Sequence, residues 1–502
     1  MEAEKKYAIL EGISGCVPEN GAGEDEENLL QNFLPLRSYN KLADPKNFLI
    51  TGGRGSGKTE LFRILTSCGG LQHILSEKDR ARYSRLKPNE FVTGFITTGT
   101  EAKYFPAANT CDELLVKAKP DNLTSFWGAL LCSVILRQFI HEKEMEQLAD
   151  QYFDERIKTK LTESSSEISV WWNVFDSQKE KWESFLDKAD SLLEKKRRFF
   201  CVVYDELDRI CSNYDELFKF IRSLLDFWYR HHQRFTNIKA KIFLRNDLYN
   251  AKALQFVDAS KMRAYQFELS WDVNSLYRLL VKRLANAGVN VLEEYLCSVP
   301  GLLQPKIYGE LGYLPGDSEA AIRELIAKMI GQYMGKNAKR GVSYFWVPNH
   351  IQDANGEVTP RAFLKCFAFA AEEMLQHKEE IEVLEAERVL SPVSLQGAVA
   401  KVSVDRVYEL TREEYPWLQN LIARLKNKTM LMEKNEFLTY LSPEHWLAEE
   451  RIKLPGKTGQ EILAALMNLG IVMEIADGRI NVPEIYLHGF GLKRKGGIKR
   501  PK

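Results

Sequence analysis

The chain has 502 residues with 69 basic and 69 acidic side chains, so its formal net charge is zero. That balance excludes wholesale attraction to nucleic acid or an anionic membrane and leaves only local patches for such contacts. At about 150 residues per domain the length suggests three or so domains, and a composition 45% hydrophobic and 27% charged is that of an ordinary soluble protein.

No run approaches the roughly 18 apolar residues of a membrane span, and the charged N-terminus lacks the apolar core of a secretion signal. The eight cysteines are scattered, with no C-x-x-C pair, which argues against a disulfide framework or a zinc site. A cytoplasmic protein without membrane contact is the expectation.

Residues 1–28, with several Gly and the acidic cluster Glu24–Glu27, read as a loosely ordered lead-in. Leu29–Leu42 has apolar residues near helical spacing. Asn47–Arg63 (NFLITGGRGSGKTELFR) then carries the strongest signal of the chain. Phe48, Leu49 and Ile50 predict a buried strand, and Leu61, Phe62, Ile64 and Leu65 the inner face of a helix. Between them Gly52, Gly57, Lys58 and Thr59 fit the phosphate-loop pattern G-x-x-x-x-G-K-[ST]. In such a loop backbone N–H groups curl around a polyphosphate at a helix N-terminus. The expected cradle is Gly52, Gly53, Arg54, Gly55, Ser56, Gly57, Lys58, Thr59 and Glu60. Lys58 would neutralise the β- and γ-phosphates of ATP and Thr59 would ligate Mg²⁺.

Phe91–Thr97 is a second strand candidate and Leu123–Phe139 a helix, with a polar helical insertion at about 141–198. Phe199–Tyr204 is a continuous apolar run, as expected of a central strand covered on both faces. It ends in Asp205 and Glu206, which fit a second Mg²⁺ acid and a general base for an attacking water. A helix at 214–230 and strands at Ile238–Leu244 and Tyr265–Leu269 follow. The alternation predicts an α/β fold: a parallel P-loop sheet with helices on both faces, over 29–270. Arg245 and Asn246, at a strand end in this sheet, are both candidates for sensing the γ-phosphate.

From Trp271 the strand pattern stops. Residues 271–380 predict a helical lid domain, in which Arg361, opening a helix behind Thr359-Pro360, could pair with the γ-phosphate. Residues 381–412 read as a linker. In 413–502 short helices precede a D-G turn at Asp477-Gly478 between two strand candidates, which suggests a small winged-helix domain. Its tail carries Lys493, Arg494, Lys495, Lys499 and Arg500, a candidate contact to nucleic-acid phosphates.

GGRGSGKTE, VVYDELDR, IFLRND, the Trp271-led helix, VTPRAF and RINVPEIYLHGFGLKRKGG occur in an order that resembles prokaryotic AAA+/STAND-type P-loop ATPases. The resemblance is to the origin-recognition-like and KAP-like branches often found in defence loci. It implies a Mg-dependent ATPase acting as a conformational switch, assembly into a homo-oligomer, and a separately encoded effector in antiviral defence. It also implies an arginine finger donated by a neighbouring subunit. Arg222, Arg230 and Arg234 lie in the right region, and no motif singles one out. Two other readings share the phosphate loop: a P-loop kinase, and a non-catalytic module in which ATP is structural and the C-terminal domain grips DNA or a partner.

Overall fold

A computed structural model describes residues 1–17, 26–75, 91–117, 123–212, 214–249, 261–385, 387–451 and 454–494. The chain divides into two compact units, Glu19–Leu269 and Met1–Pro18 with Ser270–Lys502.

The first unit is built on five strands: β1 (Leu49–Gly52), β2 (Phe91–Phe95), β3 (Phe200–Tyr204), β4 (Ile238–Arg245) and β5 (Gln266–Leu269), in the order β2-β3-β4-β1-β5. Each pairing is parallel. β1 and β3 are buried along their whole length, as their apolar runs require when helices cover both faces. The register places Ile50 beside Phe243 and Phe267, and Gly52 beside Arg245 and Leu269. Because all strands run the same way, the residues after β1, β2, β3 and β4 emerge at one edge of the sheet. This is the edge where such folds bind ligands.

Lys241, in the middle of β4, is buried, and its Nζ donates to Asp44 O and Asn47 O at 2.8 Å each. A charged residue in a central strand thereby ties down the turn that leads into β1. Burial pushes its ammonium down to about 8.

One face of the sheet is closed by the helix Thr124–Phe139, whose Trp127 is fully buried among Phe95, Phe126, Tyr204 and Phe220. The helices Lys143–Tyr152, Glu155–Glu163, Ile168–Ser177 and Lys179–Lys195 occupy the segment read as an insertion and pack around this helix. Gly128 lets them come close: a Cβ there would meet the Trp182 ring at 2.6 Å. The long helix Tyr214–Arg234 lies against Thr124–Phe139 and β4.

The second unit is helical, and two expectations fail in it. Within the supposed lead-in, Ala3–Ser14 is a helix that buries Ile9, Leu10 and Ile13 against the helix Pro360–Gln376. Lys6 Nζ anchors it to Leu384 O at 2.7 Å. Its apolar positions find a partner more than 300 positions away, which local composition does not reveal; Glu24 and Asp25 lie outside the described residues. Residues 381–412 are not a linker. They contain the helix Pro392–Glu409, whose Leu395, Ala398, Val399 and Val402 are buried on Pro360–Gln376. Its Ser, Gly and Pro content disguised it: Ser391 is the cap and Pro392 sits in the first turn.

After the helices Leu418–Leu425, Lys434–Leu441 and Gly459–Asn468, Met473–Glu474 pairs antiparallel with Ile480–Asn481 across the Asp477-Gly478 turn. Thr429–Met430 pairs parallel with Lys493–Arg494. No described helix is long and apolar enough to cross a membrane.

Candidate nucleotide site at the edge of the parallel sheet

β1 runs into a loop that two glycines with left-handed backbone make possible, Gly55 at φ 77° and Gly57 at φ 98°. An L side chain at either would be strained. Gly57 is also the N-cap of the helix Lys58–Thr66. That helix buries Leu61, Phe62, Ile64 and Leu65 on the sheet, as its spacing predicts. Burial of this face fixes the helix axis, so its N-terminal amides and dipole open at the loop. At Gly52 a Cβ would meet Ser56 Oγ at 2.5 Å, so the loop closes tightly over the end of β1.

Lys58 Nζ donates to Gly52 O at 2.9 Å and to Gly53 O at 2.8 Å. Burial pushes its ammonium down to about 8, against the attraction of Asp205 and, more weakly, of Asp247 and Asp208; Arg245 adds to the depression. Asp205, at the tip of β3, is held by its backbone N–H bond to Phe95 O at 3.1 Å. Its carboxyl group is buried, and burial raises it to about 6 against hydrogen bonds from the Glu206 amide and the Thr59 hydroxyl and the pull of Lys58. Thr59 and Asp205, 146 positions apart in the sequence, are therefore hydrogen-bonded neighbours.

One carboxylate oxygen of Asp205, Oδ2, is buried with no hydrogen-bond partner. An orphaned carboxylate oxygen beside a threonine hydroxyl and a lysine fits a hard cation that takes oxygen ligands, so these residues suit Mg²⁺.

Glu206 adopts the left-handed conformation, φ 54°, unusual for a residue with a Cβ. The turn directs its carboxylate to the residues after β2. Oε2 accepts from Thr97 N at 3.0 Å and Thr97 Oγ1 at 2.6 Å, and Oε1 accepts from Thr98 Oγ1 at 2.6 Å. The sequence reading missed Thr97 and Thr98. The available signal was a pair of hydroxyl residues ending an apolar strand beside the one that carries the acids.

Arg245 and Asn246 behave differently. Arg245 Nη2 lies 2.8 Å from Asp247 Oδ2 and Nη1 lies 3.2 Å from Asp208 Oδ2, and its charge acts on Lys58. Asn246 donates its amide N–H to Gly52 O at 3.2 Å and its side chain to Glu268 Oε1 at 3.0 Å, towards β5. Arg54, Ser56 and Glu60 lie in the loop or the first helical turn. Arg361 is exposed in the first turn of Pro360–Gln376, in the other unit. Of the arginines considered as fingers, Arg230 pairs with Asp226 and Arg234 with Asp187 and Glu183. Arg222 is exposed and has no ion pair among the described residues.

No curated protein and no solved structure matches the chain. Residues 22–244 match the family model described as ORC-CDC6-like, which supports an AAA+ P-loop ATPase of that kind, and the central parallel sheet with its phosphate loop fits it.

Proposed function

We propose that the chain binds ATP with Mg²⁺ at this sheet edge and hydrolyses it, using the nucleotide state as a conformational switch. The observation that carries the reading is the contact of Thr59 with Asp205 next to Lys58. The loop amides from Gly52 to Glu60 and Lys58 bind the phosphates, and Thr59 and Asp205 hold the metal. When bound, the ion neutralises charge developing between the β- and γ-phosphates.

Glu206, released from Thr97 and Thr98, orients the attacking water and takes its proton. Arg245 is favoured over Asn246 as the group that senses the γ-phosphate, because its charge acts on Lys58 whereas the Asn246 side chain is bonded to Glu268.

The test is binding of a labelled ATP analogue together with phosphate release. Lys58→Ala should abolish binding. Glu206→Gln should keep binding and lower turnover by about a hundredfold or more. Turnover of Glu206→Gln at the parental rate overturns the assignment of the base. A second reading, an ATP-bound module without turnover, is favoured by one observation: both Glu206 oxygens are engaged. Absence of phosphate release with and without DNA, at every protein concentration, would select it.

A homo-oligomer in which one subunit completes the next site with an arginine is part of the proposal, and Arg222 is the candidate left with an exposed side chain and no described ion pair. A cytoplasmic location, a defence role and a separate effector rest on the resemblance alone. The C-terminal segment, with its helices and short hairpin, supports a winged-helix reading. Its basic tail supports nucleic-acid contact less: Lys493 is exposed, but Arg494 pairs with Glu484 at 3.5 Å and donates to Val482 O at 3.1 Å. Lys495, Lys499 and Arg500 lie outside the described residues.

A further inference from the structure

In a chain with 69 acidic residues, none occurs between Glu324 and Asp353. The middle of this stretch is a hairpin. Tyr333 and Val342 form an antiparallel bridge, and Met334 N donates to Gly341 O at 2.9 Å. The base is locked by the buried Ser343, whose Oγ donates to Gly331 O at 2.6 Å and whose N donates to Gln332 O at 3.1 Å. Gly341, at φ 96°, turns the chain back into the helix Ser343–Ile351.

The tip carries Lys336, Lys339 and Arg340, all exposed and none in an ion pair among the described residues. The Arg340 stem lies over Gly335, where a Cβ would meet Cγ at 2.8 Å. One turn further on, Phe345 is 39% exposed, with the Arg323 guanidinium, itself paired with Glu319 at 2.7 Å, 4.7 Å from its ring centre.

We propose that the hairpin Tyr333–Val342 is a nucleic-acid-binding element, gripping the phosphate backbone with Lys336, Lys339 and Arg340 and offering Phe345 as a stacking surface. Exposed cations on a stiff scaffold, none of the three in an ion pair among the described residues, are what sequence-independent backbone binding requires. An exposed ring flanked by a guanidinium is what an unpaired base stacks on. The combination favours a nucleic acid over an acidic peptide, for which an aromatic stacking surface has no use. This surface is separate from the basic C-terminal tail, and the proposal stands whether or not ATP is hydrolysed.

The test is fluorescence anisotropy on the full chain with a 30-nucleotide single strand and a 30-base-pair duplex, across a salt series. The K336A/K339A/R340A variant should weaken binding at least tenfold. The slope of log K against log salt should fall by about 2 to 3, since each phosphate contact contributes about 0.9 on a duplex and 0.7 on a single strand. Phe345→Ala should weaken the single strand about tenfold and leave its salt slope unchanged; an equal loss on the duplex overturns the stacking role. Unchanged affinity and slope in the triple variant, or polyglutamate competing as well as DNA at equal charge, would overturn the proposal. An unaltered melting temperature and nucleotide affinity in the triple variant separate its loss from misfolding and from failure of the ATP site.

Discussion

Thr98 Oγ1 donates to Glu206 Oε1 at 2.6 Å, across 108 positions of sequence. With Thr97 holding the other oxygen, the glutamate proposed as the general base is engaged with the neighbouring strand end. Hydrogen bonds to a charged group contribute about 1.5–3 kcal/mol each. Removing both hydroxyls in Thr97→Val/Thr98→Val should therefore loosen the carboxylate, leaving it only the bond from the residue 97 amide, and raise basal phosphate release about tenfold, with ATP affinity unchanged. A lower rate in steady-state phosphate release would mean that the two threonines serve the active form rather than the resting one.

Asp205 predicts a pH dependence. Its carboxyl sits at about 6 in the fold against an ordinary 3.8, so between about pH 4 and 6 the folded protein binds more protons than the unfolded chain. Stability without ligand must then fall as pH rises through that window. Asp205→Asn should abolish this fall and melt at or above the parental temperature near pH 7. Mg-dependent ATP binding should weaken at least tenfold in the same variant. A cation seated on the carboxylate should expel a proton near pH 6, visible as a buffer-dependent heat of binding.

Lys58 works in the opposite sense. Its lowered value of about 8 means the folded chain holds fewer protons than the unfolded one between about pH 8 and 10, so stability rises with pH there. In Lys58→Met that rise should disappear from thermal melts taken across the window, while nucleotide binding is lost.

Arg245 and Asn246 are separable by substitution. Arg245→Gln leaves Asp208 and Asp247 without their guanidinium and should cost about 1–3 kcal/mol of stability. It should also lower the affinity for ATP more than for ADP. Asn246→Ala should change neither ratio nor turnover appreciably. Calorimetric titration of both nucleotides against each variant decides between the two residues.

The core offers a check independent of chemistry. Trp127 is fully buried and donates Nε1–H to Phe220 O at 3.1 Å. Trp127→Ala should cost about 3–5 kcal/mol, read from urea unfolding. Gly128→Val, which would press on the Trp182 ring, should be destabilising by about 1–3 kcal/mol through overpacking.

Some of this architecture is local and was legible in the residues themselves. The strand–loop–helix at Leu49–Thr66 is written in a short apolar run, glycines where the backbone must turn left-handed, and an apolar helical face. The apolar FCVVY run ending in Asp205 and Glu206 is equally local, and the parallel sheet follows from its alternation with helices. What only the tertiary structure decided depends on partners distant in sequence: Thr59 against Asp205, Thr97 and Thr98 against Glu206, Arg245 against Asp208. The helices Ala3–Ser14 and Pro392–Glu409 were hidden for the same reason, since their apolar positions have meaning only once Pro360–Gln376 supplies the surface that buries them.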